Sequence, residues 1–187
     1  MKIAIIGAGN MGGAIARGLA KGTIIQAEDI CVANPSQRKL DTLKTEFPHM
    51  QVTHSNVEAI EGADIVLLAV KPWFIEPVIK ELPLDAEKQI LISVAAGISF
   101  EQYESWVGEK MPVFRIIPNT AISQLESMTL IASHHASKEQ EQLMLDIFNE
   151  MGLAMLIPEK QMAATTALTS CGIAYVLKYI QAAMQAG

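Results

Sequence analysis

Short apolar runs alternate along this chain with longer stretches that place apolar residues on one helical face, an order that predicts strands and helices in regular succession. Residues 2–6, 29–33, 51–53, 65–70, 89–95, 113–117, 128–132 and 153–157 are the strand candidates, and six or seven strands are expected from them. Ile65-Val66-Leu67-Leu68-Ala69-Val70 is apolar throughout, as suits a strand covered on both faces. Helix starts are marked too. Ser55 with Glu58, Ser99 with Gln102 and Ser137 with Gln140 have capping-box spacing, and Asn34-Pro35 fits an N-cap followed by proline in the first turn. Over residues 137–151, Leu143, Ile147 and Met151 fall four apart beside Phe148, so one face is apolar and the other rich in Glu and Gln. The expected fold class is α/β, a mainly parallel sheet with helices on both faces.

The pattern changes after Pro158. Residues 160–186 are rich in Ala, Thr and Met and have no strand pattern, which predicts one long helix or two broken near Gly172. Met162, Leu168, Ile173, Val176, Leu177 and Ile180 recur on more than one face and imply a second buried surface. The division expected is residues 1–158 as one domain and 159–187 as the start of a helical one, covered by further sequence or by a partner subunit.

Composition narrows the function classes. Half of the 187 residues are hydrophobic, enough for an ordinary core, and 14 basic against 20 acidic residues give a formal charge of −6. No stripe of Lys or Arg could follow phosphates, so nucleic acid is not an expected partner. Charges interrupt the apolar stretches short of the roughly 20 residues a membrane span needs. The first residues lack a signal-peptide pattern, and a cytoplasmic location is expected. Cys31 and Cys171 have neither metal-ligand nor redox spacing.

Gly7-Ala8-Gly9-Asn10-Met11-Gly12 is a GxGxxG sequence between the first strand and a helical pattern. There Gly7 permits the tight turn, Gly9 lets a pyrophosphate approach the backbone, and Gly12 permits close packing of helix on strand. The context predicts a Rossmann-type, doubly wound dinucleotide-binding domain. Enzymes that bind NAD place an acidic residue about 20 positions on. Here the second strand ends in Asn34, followed by Ser36, Arg38 and Lys39, which favours NADP. The competing reading makes Asn34 a helix cap and Arg38 a solvated charge.

Three further stretches carry a resemblance: Ala69-Val70-Lys71-Pro72, Ser93-Val94-Ala95-Ala96-Gly97 and Arg115-Ile116-Ile117-Pro118-Asn119-Thr120. Together with the glycine loop they resemble the pyrroline-5-carboxylate reductases, whose cofactor-facing loops these look like. The resemblance implies NADPH as cofactor, with NAD possible, and hydride transfer to the imine of 1-pyrroline-5-carboxylate to give L-proline. It also implies a homodimer or higher homo-oligomer held by an α-helical dimerisation domain. Its cofactor residues here are Ile6, Gly7, Ala8, Gly9, Asn10, Met11 and Gly12 at the pyrophosphate and Asn34 and Asn56 at the nucleotide. Ala69, Val70, Lys71, Pro72, Ala95, Ala96 and Gly97 would lie along the ribose and nicotinamide. For Lys71, a solvated charge at a strand end is the competing reading.

The family's Ser-Gly-Ser-Gly-Pro-Ala-Tyr stretch reads Thr169-Ser170-Cys171-Gly172-Ile173-Ala174-Tyr175 here, and loss of the proline is expected to remove a helix kink. The family's loop for the substrate carboxylate falls outside these residues. No general acid is evident. His49, His54, His134 and His135 read as surface positions, with no metal ligation expected, and Glu159 reads as a helix-start carboxylate or a substrate contact. Two rivals remain: a hydroxyacid dehydrogenase using Lys178, and a non-catalytic NADP-binding module.

Overall fold

Eight strands form one sheet in the computed structural model, which describes residues 1–186. They are β1 (Ile3–Ile6), β2 (Ile30–Ala33), β3 (Gln51–Thr53), β4 (Ile65–Leu68), β5 (Ile90–Ser93), β6 (Val113–Ile117), β7 (Ser127–His134) and β8 (Gly152–Leu156). All eight candidate segments are therefore strands, one or two more than expected. The order is β3-β2-β1-β4-β5-β6-β7-β8. The first six strands are parallel in the doubly wound order, β7 runs antiparallel to β6, and β8 is parallel to β7.

Alternation along each buried strand feeds two cores. Ile3, Ile5, Ile65 and Leu67 face one side, where they meet α1 (Asn10–Leu19), α2 (Gln37–Glu46) and α6 (Lys138–Asn149) through Ile15, Leu40, Leu43, Met144, Ile147 and Phe148. Ala4, Ile6, Val66 and Leu68 face the other side. There α3 (Asn56–Ile60), α4 (Pro72–Glu81) and α5 (Phe100–Val107) supply Ile60, Ile75, Ile79, Phe100 and Tyr103. Each such side chain contributes roughly 1.5–3 kcal/mol by leaving water. Capping boxes form at Ser99 and Ser137. At Ser55 only half of one forms, because the Glu58 carboxylate accepts from the Thr53 hydroxyl instead.

Three expectations need correction. Asn34 is not a helix cap: Ser36 holds the N-cap position of α2, and the Asn34 side chain turns back toward the glycine loop. The strand at 65–70 ends at Leu68; the Ala69 N–H still bonds the Ile6 carbonyl at 2.8 Å, and Val70 lies beyond the strand. The helical region divides into α7 (Met162–Thr169) and α8 (Gly172–Ala186) at Ser170 and Cys171, as the two-helix reading had it; the expected loss of the kink is what fails, since the break persists with Ile173 in place of proline. Ser170 and Cys171 N–H groups both bond the Thr166 carbonyl, which closes the end of α7. Met162 alone of the predicted apolar set is buried; Leu168, Ile173, Val176, Leu177 and Ile180 are exposed. Among the described residues no helix is long and apolar enough to cross a membrane.

Candidate functional site

At the carboxyl ends of β1, β2, β4 and β5, where the strand order reverses between β1 and β4, lies a cavity of about 780 Å³. Its size suits a nucleotide cofactor. The glycine loop forms its floor. Gly7 has φ of 109°, and a Cβ there would press on the Ala69 carbonyl; a Cβ on Gly12 would collide with the Gly7 carbonyl. These two glycines let α1 start tightly against the sheet. Gly9 differs, because a Cβ on it would meet no protein atom and would project into the cavity. A group as bulky as a pyrophosphate can therefore approach the backbone, beside the N–H groups that the first turn of α1 leaves without intrahelical partners.

Ile6, Gly7, Gly9, Asn10, Met11, Asn34, Asn56, Ala69, Val70, Lys71, Pro72, Ala95 and Ala96 line this cavity. Three expected residues do not. Ala8 is buried and gives its N–H to Asn34 Oδ1 at 3.0 Å; Gly12 is spent on packing; Gly97 makes an exposed turn at φ 81°. Nor does the 115–120 stretch line the cavity. Arg115 is buried under Glu159, and Asn119 caps a short turn of 3₁₀ helix through the Ala121 N–H.

Asn34 joins the glycine loop to the turn before α2. Besides holding Ala8, its Nδ2 donates to the Ser36 carbonyl at 3.3 Å, and its own carbonyl contacts His54 Nδ1 at 2.9 Å. Asn56 opens α3 and donates to Glu81 at 3.2 Å. Lys71 is the N-cap residue of α4, with Pro72 in its first turn. Lys39 also stands in the wall, while Ser36 and Arg38 do not. Two lysines and no carboxylate face the cavity among the described residues, an electrostatic balance suited to an anion.

The segment carrying Ala95 and Ala96 is positioned from beneath. Fully buried Tyr103 donates to Ser93 Oγ at 2.6 Å, and Ser93 Oγ accepts the Ala95 N–H at 3.2 Å. Burial pushes the Tyr103 phenol up, which keeps it a donor. The sequence carried no sign of this pair. Phe74, Val78 and Pro35 also line the cavity and were likewise missed, because apolar residues beside loops read as ordinary packing, whereas Val94 belongs to the expected 93–97 stretch. Glu159 does not line the cavity; its Oε1 accepts the Phe100 N–H at 2.8 Å and a hydrogen bond from Arg115 Nη1 at 2.5 Å. Lys178 is exposed on α8, bonds Gln181 at 3.2 Å and does not line the cavity, so nothing in the cleft favours its use as the catalytic lysine of a hydroxyacid dehydrogenase.

Fold and cleft together define a domain of the doubly wound, dinucleotide-binding class. A family model described as NADP oxidoreductase, coenzyme F420-dependent, matches residues 2–97. Pyrroline-5-carboxylate reductase from Pseudomonas aeruginosa is 35% identical, over 100% of this chain and 68% of that protein. Pyrroline-5-carboxylate reductase 1 from Dictyostelium discoideum is 33% identical, over 99% of this chain and 36% of that protein. The crystal structure of Plasmodium falciparum pyrroline carboxylate reductase with NADP bound superposes with a TM-score of 0.90 at 30% identity, covering 100% of this chain and 69% of that one. The chain belongs to the pyrroline-5-carboxylate reductase family. It spans between about a third and about two thirds of the length of the curated relatives that it matches.

Proposed function

We propose that this chain is the cofactor-binding and hydride-delivering part of an NADPH-dependent pyrroline-5-carboxylate reductase, comprising a nucleotide domain over residues 1–158 and the start of a helical dimerisation domain from 159 on. The observation that carries the reading is the cleft itself: a glycine loop, Asn34, Lys39 and the two strand-end segments 69–72 and 95–96 converge where a doubly wound sheet binds its ligands. A bound nicotinamide supplies the hydride. The chain's contribution is placement. Backbone amides of the glycine loop hold the pyrophosphate, Asn34, Asn56 and Lys39 hold the adenosine end, and Val70, Pro72, Ala95 and Ala96 shape the wall for the ring. The protonated ring imine accepts the hydride at carbon and becomes a neutral secondary amine, so no further proton is needed in that step. A site of backbone, apolar side chains and two lysines, with no acid–base pair among the described residues, suits a reaction that depends on alignment and exclusion of water.

NADP is preferred over NAD in this reading because Asn34 leaves the ribose 2′ position free of negative charge and Lys39 adds a positive one. The partner subunit is a second copy of the chain, supported by the exposed apolar face of α8. The test is NADPH oxidation followed by absorbance with 1-pyrroline-5-carboxylate supplied, and NADH run alongside. Imine-dependent oxidation, faster with NADPH, is expected. NADPH binding without oxidation overturns the reductase reading of this chain in favour of a binding module, and absence of nucleotide binding overturns the cleft assignment.

A further inference from the structure

We propose a second site, at the end of the sheet away from the cleft, where Glu104, His134 and His135 bind a divalent transition-metal ion of the zinc, nickel or copper type. His134 ends β7 and pairs with Val113, the first residue of β6, which places it at the amino ends of the parallel strands. Continued strand alternation would send His135 to the opposite face. It does not, because His135 has φ of 54°, a left-handed conformation that residues with side chains adopt only at a cost. The turn brings the two imidazoles together, with ring centroids 3.9 Å apart. Stacking on Phe100 at 5.0 Å and an interplanar angle of 14° fixes the His134 ring.

Glu104, one helical turn after Phe100 on α5, completes the group. Its Oε2 lies 2.6 Å from His134 Nε2 and 2.9 Å from His135 Nε2. Each of the three residues offers one ligand atom, and these atoms all lie within 4.8 Å of one another. No other group of three such residues converges among the described residues. Side-chain exposures of 32%, 36% and 34% for His134, His135 and Glu104 leave one side open for water to complete the coordination.

Two imidazoles and one carboxylate match ions that favour nitrogen, whereas magnesium and calcium take oxygen. The ion binds the Nε2 lone pairs of neutral rings, with each ring proton on Nδ1, and the carboxylate rotates from accepting hydrogen bonds to coordinating at about 2.1 Å. Nothing is oxidised or reduced in this step. The sequence concealed the site: adjacent histidines lack metal-ligand spacing, and their third partner stands 30 residues away from His134.

Zinc titration of the untagged chain by calorimetry, with cobalt absorption as a second readout, tests the proposal. About one equivalent is expected to bind at micromolar zinc, to shift the ring resonances of His134 and His135, and to leave those of His49 and His54 in place. Glu104→Gln keeps the side-chain shape, and His135→Gly relieves the left-handed backbone, so both variants are expected to fold. Each should lose more than about tenfold in affinity, at least the loss typical of removing an outer partner, while His49→Ala should lose none. Absence of binding by the unmodified chain, resonance shifts at other histidines only, or unchanged affinity in both variants would each overturn the site.

Discussion

Asn34 stands where a family of related folds places an acid, and its two hydrogen bonds explain why an amide serves. Oδ1 closes the glycine loop through Ala8 N–H while Nδ2 ties the turn before α2. Asn34→Asp retains the acceptor for Ala8 but sets a negative charge where the proposed function puts the ribose. The variant is expected to bind NADPH at least tenfold more weakly, about 1.4 kcal/mol, with NADH affinity nearly unchanged; fluorescence titration with both nucleotides measures it, and equal weakening of both would remove Asn34 as the selectivity residue. Glu150 shows a different residue-scale balance. Burial pushes its carboxyl up, but bonds from the Thr23 hydroxyl and the Thr23 and Ile24 N–H groups more than offset this and hold it below the usual value. A depressed carboxyl contributes stability above its unfolded pKa of about 4.3, and this contribution is lost as pH falls through the folded value. Glu150→Gln is therefore expected to lower stability by about 1 kcal/mol at neutral pH, a Tm drop of about 2–4 °C. The difference from the unmodified chain should shrink in thermal melts as the pH falls below about 4.3.

Elements were legible in the sequence wherever their signal was local. Ser99 with Gln102 and Ser137 with Gln140 form capping boxes because both partners lie within one turn, and the glycine loop folds as read because its neighbours in sequence are also its neighbours in space. Most of the cleft was legible for the same reason, since it consists of segments that directly follow strands. What stayed hidden was set by contacts between distant elements: Tyr103 under Ser93, the 115–120 stretch turned into structural service, and the end of α5. Phe100 is the first residue of α5, and its N–H is satisfied by Glu159, 59 residues on, whose carboxylate also holds the buried Arg115 guanidinium. Arg115 in turn lies over the Phe100 ring at 5.7 Å. This ties the turn before α7 to α5 and β6. Removing one partner of a fully buried ion pair costs roughly 3–5 kcal/mol. Glu159 keeps part of its surface in water, so Glu159→Ala is expected to cost about 2 kcal/mol, or about 4–8 °C in Tm. Glu159→Gln, which retains an acceptor for Phe100, should lose less. Equal melting of Glu159→Ala and the unmodified chain would show that the contact adds nothing.

At the scale of the molecule, the sheet buries a core on each face, whereas α8 carries seven large apolar or aromatic residues that are 47% to 79% exposed: Ile173, Tyr175, Val176, Leu177, Tyr179, Ile180 and Met184. Lys178 is the one charged residue along Gly172–Ala186. An exposed apolar surface of this kind marks an association face, and a helix that is apolar on several sides is stable in water only when covered. Association through α8 need not disturb the cleft, because no α8 residue lines it. The chain is therefore expected to self-associate with rising concentration in sedimentation velocity. Val176→Glu with Leu177→Glu should shift it to monomer, since burying two unpaired carboxylates opposes the association. NADPH affinity should stay within about twofold, because α8 and the cleft share no lining residue and substitutions without shared partners usually act independently. A chain that sediments as a monomer at every concentration would mean that the face of α8 is covered by something other than a second copy, and loss of nucleotide binding in the variant would mean that the cleft is assembled only in the associated form.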